Sequence, residues 1–162
     1  MKIGMIGQKG IPATYGGIER AVEEVSSRLA ARGHDVTVFV RPHYKTIEDT
    51  HRGIKIKVLP SLNTKHFDAI SHTVVSTFYS LFDSFDVLHY HALGPSLLSF
   101  IPRMFGVPTA VTIHGLDWQR DKWGKVAKTV LKMGEYGSVH FPNVAVSVSK
   151  TLTEYLKKKY IN

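Results

Sequence analysis

The 162-residue sequence contains no cysteine, which excludes a disulfide framework and a thiolate-ligated metal site. A reducing compartment is compatible with that absence. Long apolar runs are missing as well. The first apolar cluster, residues 3–6, is far too short for the core of a secretory signal. No stretch reaches the roughly 18 apolar residues that a bilayer-spanning helix needs. The expectation is a soluble, cytoplasmic domain. Acidic residues are scarce: 13 Asp and Glu stand against 21 Lys and Arg, for a formal net charge of +8. The excess gathers late, where residues 118–162 hold nine Lys/Arg and three Asp/Glu. A basic flank favours anionic partners, whether phosphates, anionic lipid surfaces or nucleic acid, and does not choose among them. Nucleic-acid fingerprints are absent: there is no RRM aromatic signature, zinc finger or evident helix-turn-helix.

What is present suits one globular domain. The length allows a sizeable core, and 43 % hydrophobic with 21 % charged residues argues against disorder. Strand and helix patterns alternate. Apolar or period-two runs predict strands at 2–6, 35–40, 54–58, 86–90, 109–113 and 143–148, the run at 54–58 lying nearer a sheet edge. Helices are predicted over 17–32, 66–83, 96–104 (interrupted by Pro102), 121–136 and 150–160. The first is marked by Ile18, Val22, Val25 and Leu29 and closed by Gly33. The second is marked by Phe67, Ile70, Val74, Phe78 and Leu81, and Ser149 caps the last. The alternation predicts an α/β, Rossmann-like domain: a mostly parallel sheet with helices on both faces. Such sheets bind ligands beyond the carboxyl ends of their strands. Attention therefore falls on the segments after strands one, four and five.

The segment 7–20, between the first strand and first helix, carries Gly7, Gly10, Gly16 and Gly17. Gly16-Gly17 would open the helix, where unpaired N–H groups and the helix dipole suit a phosphate. The same glycines could simply shape a loop and pack the helix on the sheet. No G-x-G-x-x-G is present, and strand two ends in Val40-Arg41-Pro42 with no acid to hold a ribose hydroxyl. A nicotinamide-dependent oxidoreductase is disfavoured on both counts. Strand four ends in His89-Tyr90-His91 and strand five in His114-Gly115. His89 and His91 share a face, but no carboxylate completes a known zinc pattern, so no metal site is expected. Gly115 permits a sharp exit that presents His114 to the crevice, to hydrogen-bond a sugar hydroxyl or phosphate. A histidine merely packed at a strand end is the other reading.

Five segments together resemble family 4 retaining glycosyltransferases: Gly16-Gly17-Ile18-Glu19-Arg20, the stretch 30–38, the strand 86–91, Thr112-Ile113-His114-Gly115, and Val146-Ser147-Val148-Ser149. The match runs the length of the chain. Residues 114–123 are similar to a subgroup that builds bacterial surface polysaccharides, rhamnosyltransferases included. The resemblance implies one half of a GT-B fold, with residues 1–162 forming the N-terminal, acceptor-side domain. The C-terminal domain, which binds the nucleotide-sugar through a pair of glutamates, would be absent and the chain inactive alone. It further implies that the backbone at Gly16 and Gly17 meets the donor diphosphate or sugar. His114 would bond the donor sugar near the reacting carbon, and Asp117 and Arg120 would line the acceptor side. No metal, no cofactor and no general base are expected. Catalysis would be positioning and charge stabilisation. The partners implied are a nucleotide-sugar donor and a glycan or lipid-diphosphate-linked acceptor, with no nucleic acid.

On the helix at 121–136, Trp123, Val126, Ala127, Val130 and Leu131 point one way and Lys122, Lys125, Lys128 and Lys132 the other. The lysines are either an ordinary solvated face or a contact for anionic lipid at the inner face of the cell membrane. Lys157, Lys158 and Lys159 either extend that surface or favour a helix end. The rival function is a stand-alone basic module that binds anionic lipid or nucleic acid.

Overall fold

Alternating apolar residues decide which face of each strand meets which helix. A computed structural model describes residues 1–14, 16–44, 48–64, 67–121 and 123–161. Its strands are β1 (Lys2–Ile6), β2 (Asp35–Val40), β3 (Thr50–His51), β4 (Ile54–Val58), β5 (Val87–His91), β6 (Thr109–Ile113) and β7 (Val144–Ser147). Its α-helices are α1 (Gly17–Ala31), α2 (Asp68–Leu81), α3 (Leu93–Ser96), α4 (Phe100–Met104), α5 (Lys125–His140) and α6 (Lys150–Tyr160). Short 3₁₀ turns lie at Pro42–Tyr44 and Asp117–Gln119.

Among the described residues the strands form one sheet in the order β3-β4-β2-β1-β5-β6-β7. All neighbours are parallel except β3, which turns back on β4. The α/β, mostly parallel architecture is the predicted one, and β4 lies one short strand from the edge, as its period of two suggested. Chain order reverses between β1 and β5, which opens a crevice at their carboxyl ends. In β2, Val36, Val38 and Val40 face one layer, where Ile3, Met5 and Val22 join them. Phe39 faces the other layer, with Ile6, Leu88, Tyr90 and Leu152. The core is thus two apolar layers separated by the sheet.

Several element boundaries differ from the predictions. The helix expected over 96–104 is replaced by α3, which ends at Ser96, and α4, with a break at 97–99 between them. The helix expected from 121 begins at Lys125 and continues to His140, because a 3₁₀ turn at 117–119 occupies the approach. Lys122 lies outside the described residues. Val25 of α1 is exposed while Val22 is buried.

The larger correction concerns α2. Phe67, Ile70, Val74 and Phe78, the stripe that suggested a core-facing helix, point outward. The buried stripe is His72, Thr73, Ser76, Thr77 and Ser80. Small side chains let this helix lie close to the sheet. Thr73 and Ser80 return their hydroxyls to α2 carbonyls, those of Ala69 and Thr77, each at 2.7 Å. Thr77 pairs with the Tyr90 hydroxyl at 2.9 Å.

Candidate functional site

The loop after β1 is held from beneath. Gln8 is buried and donates to the Phe39 carbonyl at 2.7 Å. Arg41, buried at the end of β2, pairs with Asp68 at 2.8 Å and donates to the Gly7 carbonyl at 3.4 Å. Gly7 has φ +118°, and a Cβ there would overlap the His91 carbonyl. Only glycine allows β1 to exit so close to the end of β5. The acids of α1 secure the rest: Glu19 accepts the Lys9 N–H at 3.4 Å and Glu23 accepts the Ala13 N–H at 2.5 Å. Gly16 takes φ +90° at the helix start with no side-chain cap, and a Cβ on it would meet the Glu19 carboxylate. Glu19 therefore sits in the turn that the sequence assigned to a phosphate.

Three histidines stack at the ends of β5 and β6. The rings of His89 and His91 are 4.2 Å apart, and His91 Nδ1 lies 3.2 Å from His114 Nε2. His89 Nε2 pairs with Thr112 Oγ1 at 2.7 Å. These nitrogens bond to one another and to a hydroxyl, and among the described residues no group of three potential ligands is placed to hold a metal ion. Burial lowers all three and so favours the neutral imidazole, and neighbouring imidazoles reinforce it at His89 and His91. It lowers His89 to about 4, with His114 the next cause. It puts His91 well below the usual histidine range, with His89 and His114 adding. His114 is lowered by burial too, but Asp117 and Glu19 pull the other way.

The pairing also orders the protons. Among the described residues His91 Nε2 is buried with no partner. If His91 donates from Nδ1, the orphan is a bare lone pair. The reverse pairing would bury an unpaired N–H, the rarer state in native structures. His91 therefore donates, His114 accepts at Nε2, and His114 keeps its own proton on Nδ1.

Beyond His114 the chain forms the 3₁₀ turn carrying Asp117 and Trp118. Asp117 pairs with Arg120 at 3.3 Å, and Arg120 is largely exposed. The turn is pinned by Glu135 of α5, which is fully buried. The Trp118 indole N–H donates to Glu135 Oε2. Tyr155, Lys159 and Tyr160 donate to Oε1 at 3.1, 2.7 and 2.7 Å. Burial would raise the Glu135 pKa, but the bonds from Lys159, Tyr160 and Trp118 outweigh it and hold the carboxylate below its usual range. Lys132 and Lys159 also lie over the Trp118 ring, at 5.0 and 5.9 Å. Lys159 is thus committed to an internal ion pair, unlike the solvated or lipid-facing role open to it in the sequence.

The structure brings Gly16, Gly17, His114 and Asp117 to one rim of the sheet. Glu19 lies against Gly16 and its charge reaches the His114 imidazole, and Arg120 extends outward from Asp117. Two residues of this rim were not predicted as site residues: Glu19 and His91. Glu19 stands inside the Gly16–Arg20 segment, and the sequence offers His91 only as a metal ligand. Glu135 carried no signal at all, being one acid in a lysine-rich helix.

A model of Glycosyltransferase Family 4 matches residues 15–161. The chain belongs to that family. No curated protein sequence matches this family 4 chain. Among solved structures it is similar to sucrose-phosphate synthase from Thermosynechococcus elongatus, with a TM-score of 0.71 at 17 % identity. That likeness covers 99 % of this chain and 45 % of the other, so the family 4 chain spans less than half of that relative. At such identity the likeness concerns the fold, which is a Rossmann-like half of the GT-B type. Among the described residues no helix is long and apolar enough to cross a membrane.

Proposed function

We propose that this chain is the acceptor-side half of a retaining glycosyltransferase, and that a second Rossmann-like domain completes the cleft. The observation that carries the reading is the single rim shared by the uncapped Gly16-Gly17 helix start and His114. A nucleotide-sugar donor would lay its diphosphate or sugar against the glycine turn. His114, neutral and protonated on Nδ1, is suited to donate to a sugar hydroxyl near the reacting carbon. Asp117 and Arg120 form a polar flank for acceptor hydroxyls. Glu19 keeps the glycine turn from being a purely cationic site, so much of the diphosphate charge would fall to the second domain. With no enzymic nucleophile or metal invoked, rate enhancement comes from positioning and from stabilising charge on the departing diphosphate.

The acceptor we propose is a glycan carried on a lipid diphosphate, in the building of a bacterial surface polysaccharide. The rhamnosyltransferase-like stretch at 114–123 and the basic flank support it, with the exposed Lys125 of α5 the lysine that would meet the anionic inner face of the cell membrane. The test is transfer by the intact enzyme from a panel of nucleotide-sugars to a lipid-diphosphate glycan, with the product anomer read by NMR. A product of inverted configuration would overturn the retaining assignment. The 162-residue chain alone should bind nucleotide-sugars only weakly, and micromolar affinity by calorimetry would contradict its acceptor-side role.

A further inference from the structure

The outward stripe of α2 is unusual for a solvated helix. Phe67, Ile70, Val74 and Phe78 are 60, 47, 36 and 49 % exposed. Residues 69–82 contain no Asp, Glu, Lys or Arg. A helix facing only water ordinarily carries charge on its outer side. Contiguous apolar surface of this kind marks an interaction site. Across from it, α5 exposes Val126 at 80 % and Val130 at 37 %. Between the two helices runs a groove of about 540 Å³, walled by Ile70 on one side and Val126 and Val130 on the other. Pro95 lines it too and packs beside Gly7, so the groove adjoins the glycine loop. Lys125 also lines the groove, and Lys128 and Lys132 follow on the same helix.

We propose that this groove holds the hydrocarbon chain of a lipid diphosphate, with Lys125 meeting the diphosphate. The assignment rests on the lipid-linked acceptor described above and gives its chain a place. The charge pattern argues for it: an apolar channel beside lysines matches an apolar chain with an anionic head. The volume lies in the range of small-molecule sites. A bare sugar is a poor fit to walls of valine, isoleucine and proline, which offer few hydrogen-bonding groups.

The test uses farnesyl diphosphate below its micellar concentration, with inorganic diphosphate and farnesol as comparators, and reads tryptophan fluorescence of the chain. Farnesyl diphosphate is expected to bind at least about tenfold more tightly than inorganic diphosphate. Ile70→Asp and Val130→Asp should each cost about tenfold. Lys125→Glu should weaken farnesyl diphosphate and leave farnesol unchanged. Phe82→Asp, outside the groove on an 89 % exposed residue, should change nothing. Methyl shifts of Ile70, Val126 and Val130 in the unaltered chain report the same contact without any variant. Equal affinity for farnesyl and inorganic diphosphate would overturn the proposal, as would methyl groups that do not shift. Equal weakening by Phe82→Asp and Ile70→Asp would also do so, since it signals unspecific adhesion. No sugar enters the assay, so its failure removes the groove and leaves glycosyl transfer standing. An intact enzyme that glycosylates only water-soluble sugars would instead remove the lipid-linked acceptor.

Discussion

Glu135→Ala is expected to be among the most damaging single substitutions in the chain. The carboxylate is fully buried and receives four donors: Trp118, Tyr155, Lys159 and Tyr160. Removing one partner of a buried ionic network costs about 3–5 kcal/mol, mostly from groups left unpaired. Lys159 is 41 % exposed and can turn into water, so the loss should fall near the lower end, about 3 kcal/mol. With a urea m-value of about 2 kcal/mol/M, the unfolding midpoint drops by about 1.5 M. Glu135→Gln keeps the volume but sets an amide N–H against one of the donors, and should cost about 1–2 kcal/mol. The pH dependence adds a second constraint. The Glu135 pKa is lowered on folding, so the unfolded chain binds the proton first as pH falls. Its contribution is complete above the ordinary carboxylate value of 4.5 and fades as pH drops through the folded value. The gap between wild type and Glu135→Ala should therefore be widest near neutral pH and shrink in acid. The assay is urea unfolding at several pH values, followed by tryptophan fluorescence. A midpoint within about 0.3 M of wild type at pH 7 would refute the argument that this carboxylate pins the turn after β6.

Two further outcomes follow from the buried histidines. In a chain with ¹⁵N-labelled histidine, His114 should carry its proton on Nδ1. His91→Leu should release it to the commoner Nε2–H form, and an Nε2–H His114 in the unaltered chain would contradict the pairing order. His72 is buried and held neutral, its pKa lowered to about 4 by burial and then by Arg41. Between pH 6.5 and 4 the unfolded state binds the extra proton, so acid favours unfolding by up to roughly 3 kcal/mol from this residue. His72→Leu should remove one residue's share of the slope over that window, leaving the shares of His89, His91 and His114, and an unchanged slope would show that His72 does not titrate on unfolding.

Much of the architecture was legible because strand and helix periods differ so clearly here. The alternating valines of β2 and the Ser149 cap, which accepts the Leu152 N–H at 3.2 Å, are local signals that survive folding unchanged. The rim was legible for the same reason: parallel strands place their following loops on one edge. What failed was the facing of α2. Its sequence has two stripes at helical spacing, one apolar and one of small hydroxyls. The usual rule puts the apolar one inside. The sheet instead took the small one, because small side chains allow close approach and the hydroxyls of Thr73 and Ser80 bond back to α2 carbonyls while Thr77 pairs with Tyr90. Glu135 was illegible because its partners lie 17 to 25 residues away in sequence. Val126 was expected on the apolar side of α5 and lies there, but that side opens onto the groove rather than the core.

The most direct measurement is turnover by the intact enzyme carrying His114→Ala, with folding checked by urea unfolding. Loss of a donor aimed at developing charge or a reacting sugar lowers kcat by about two to three orders of magnitude, and that is the result expected. Sugar transfer within a few-fold of wild type would contradict the assignment of this rim as the wall of the transfer cleft.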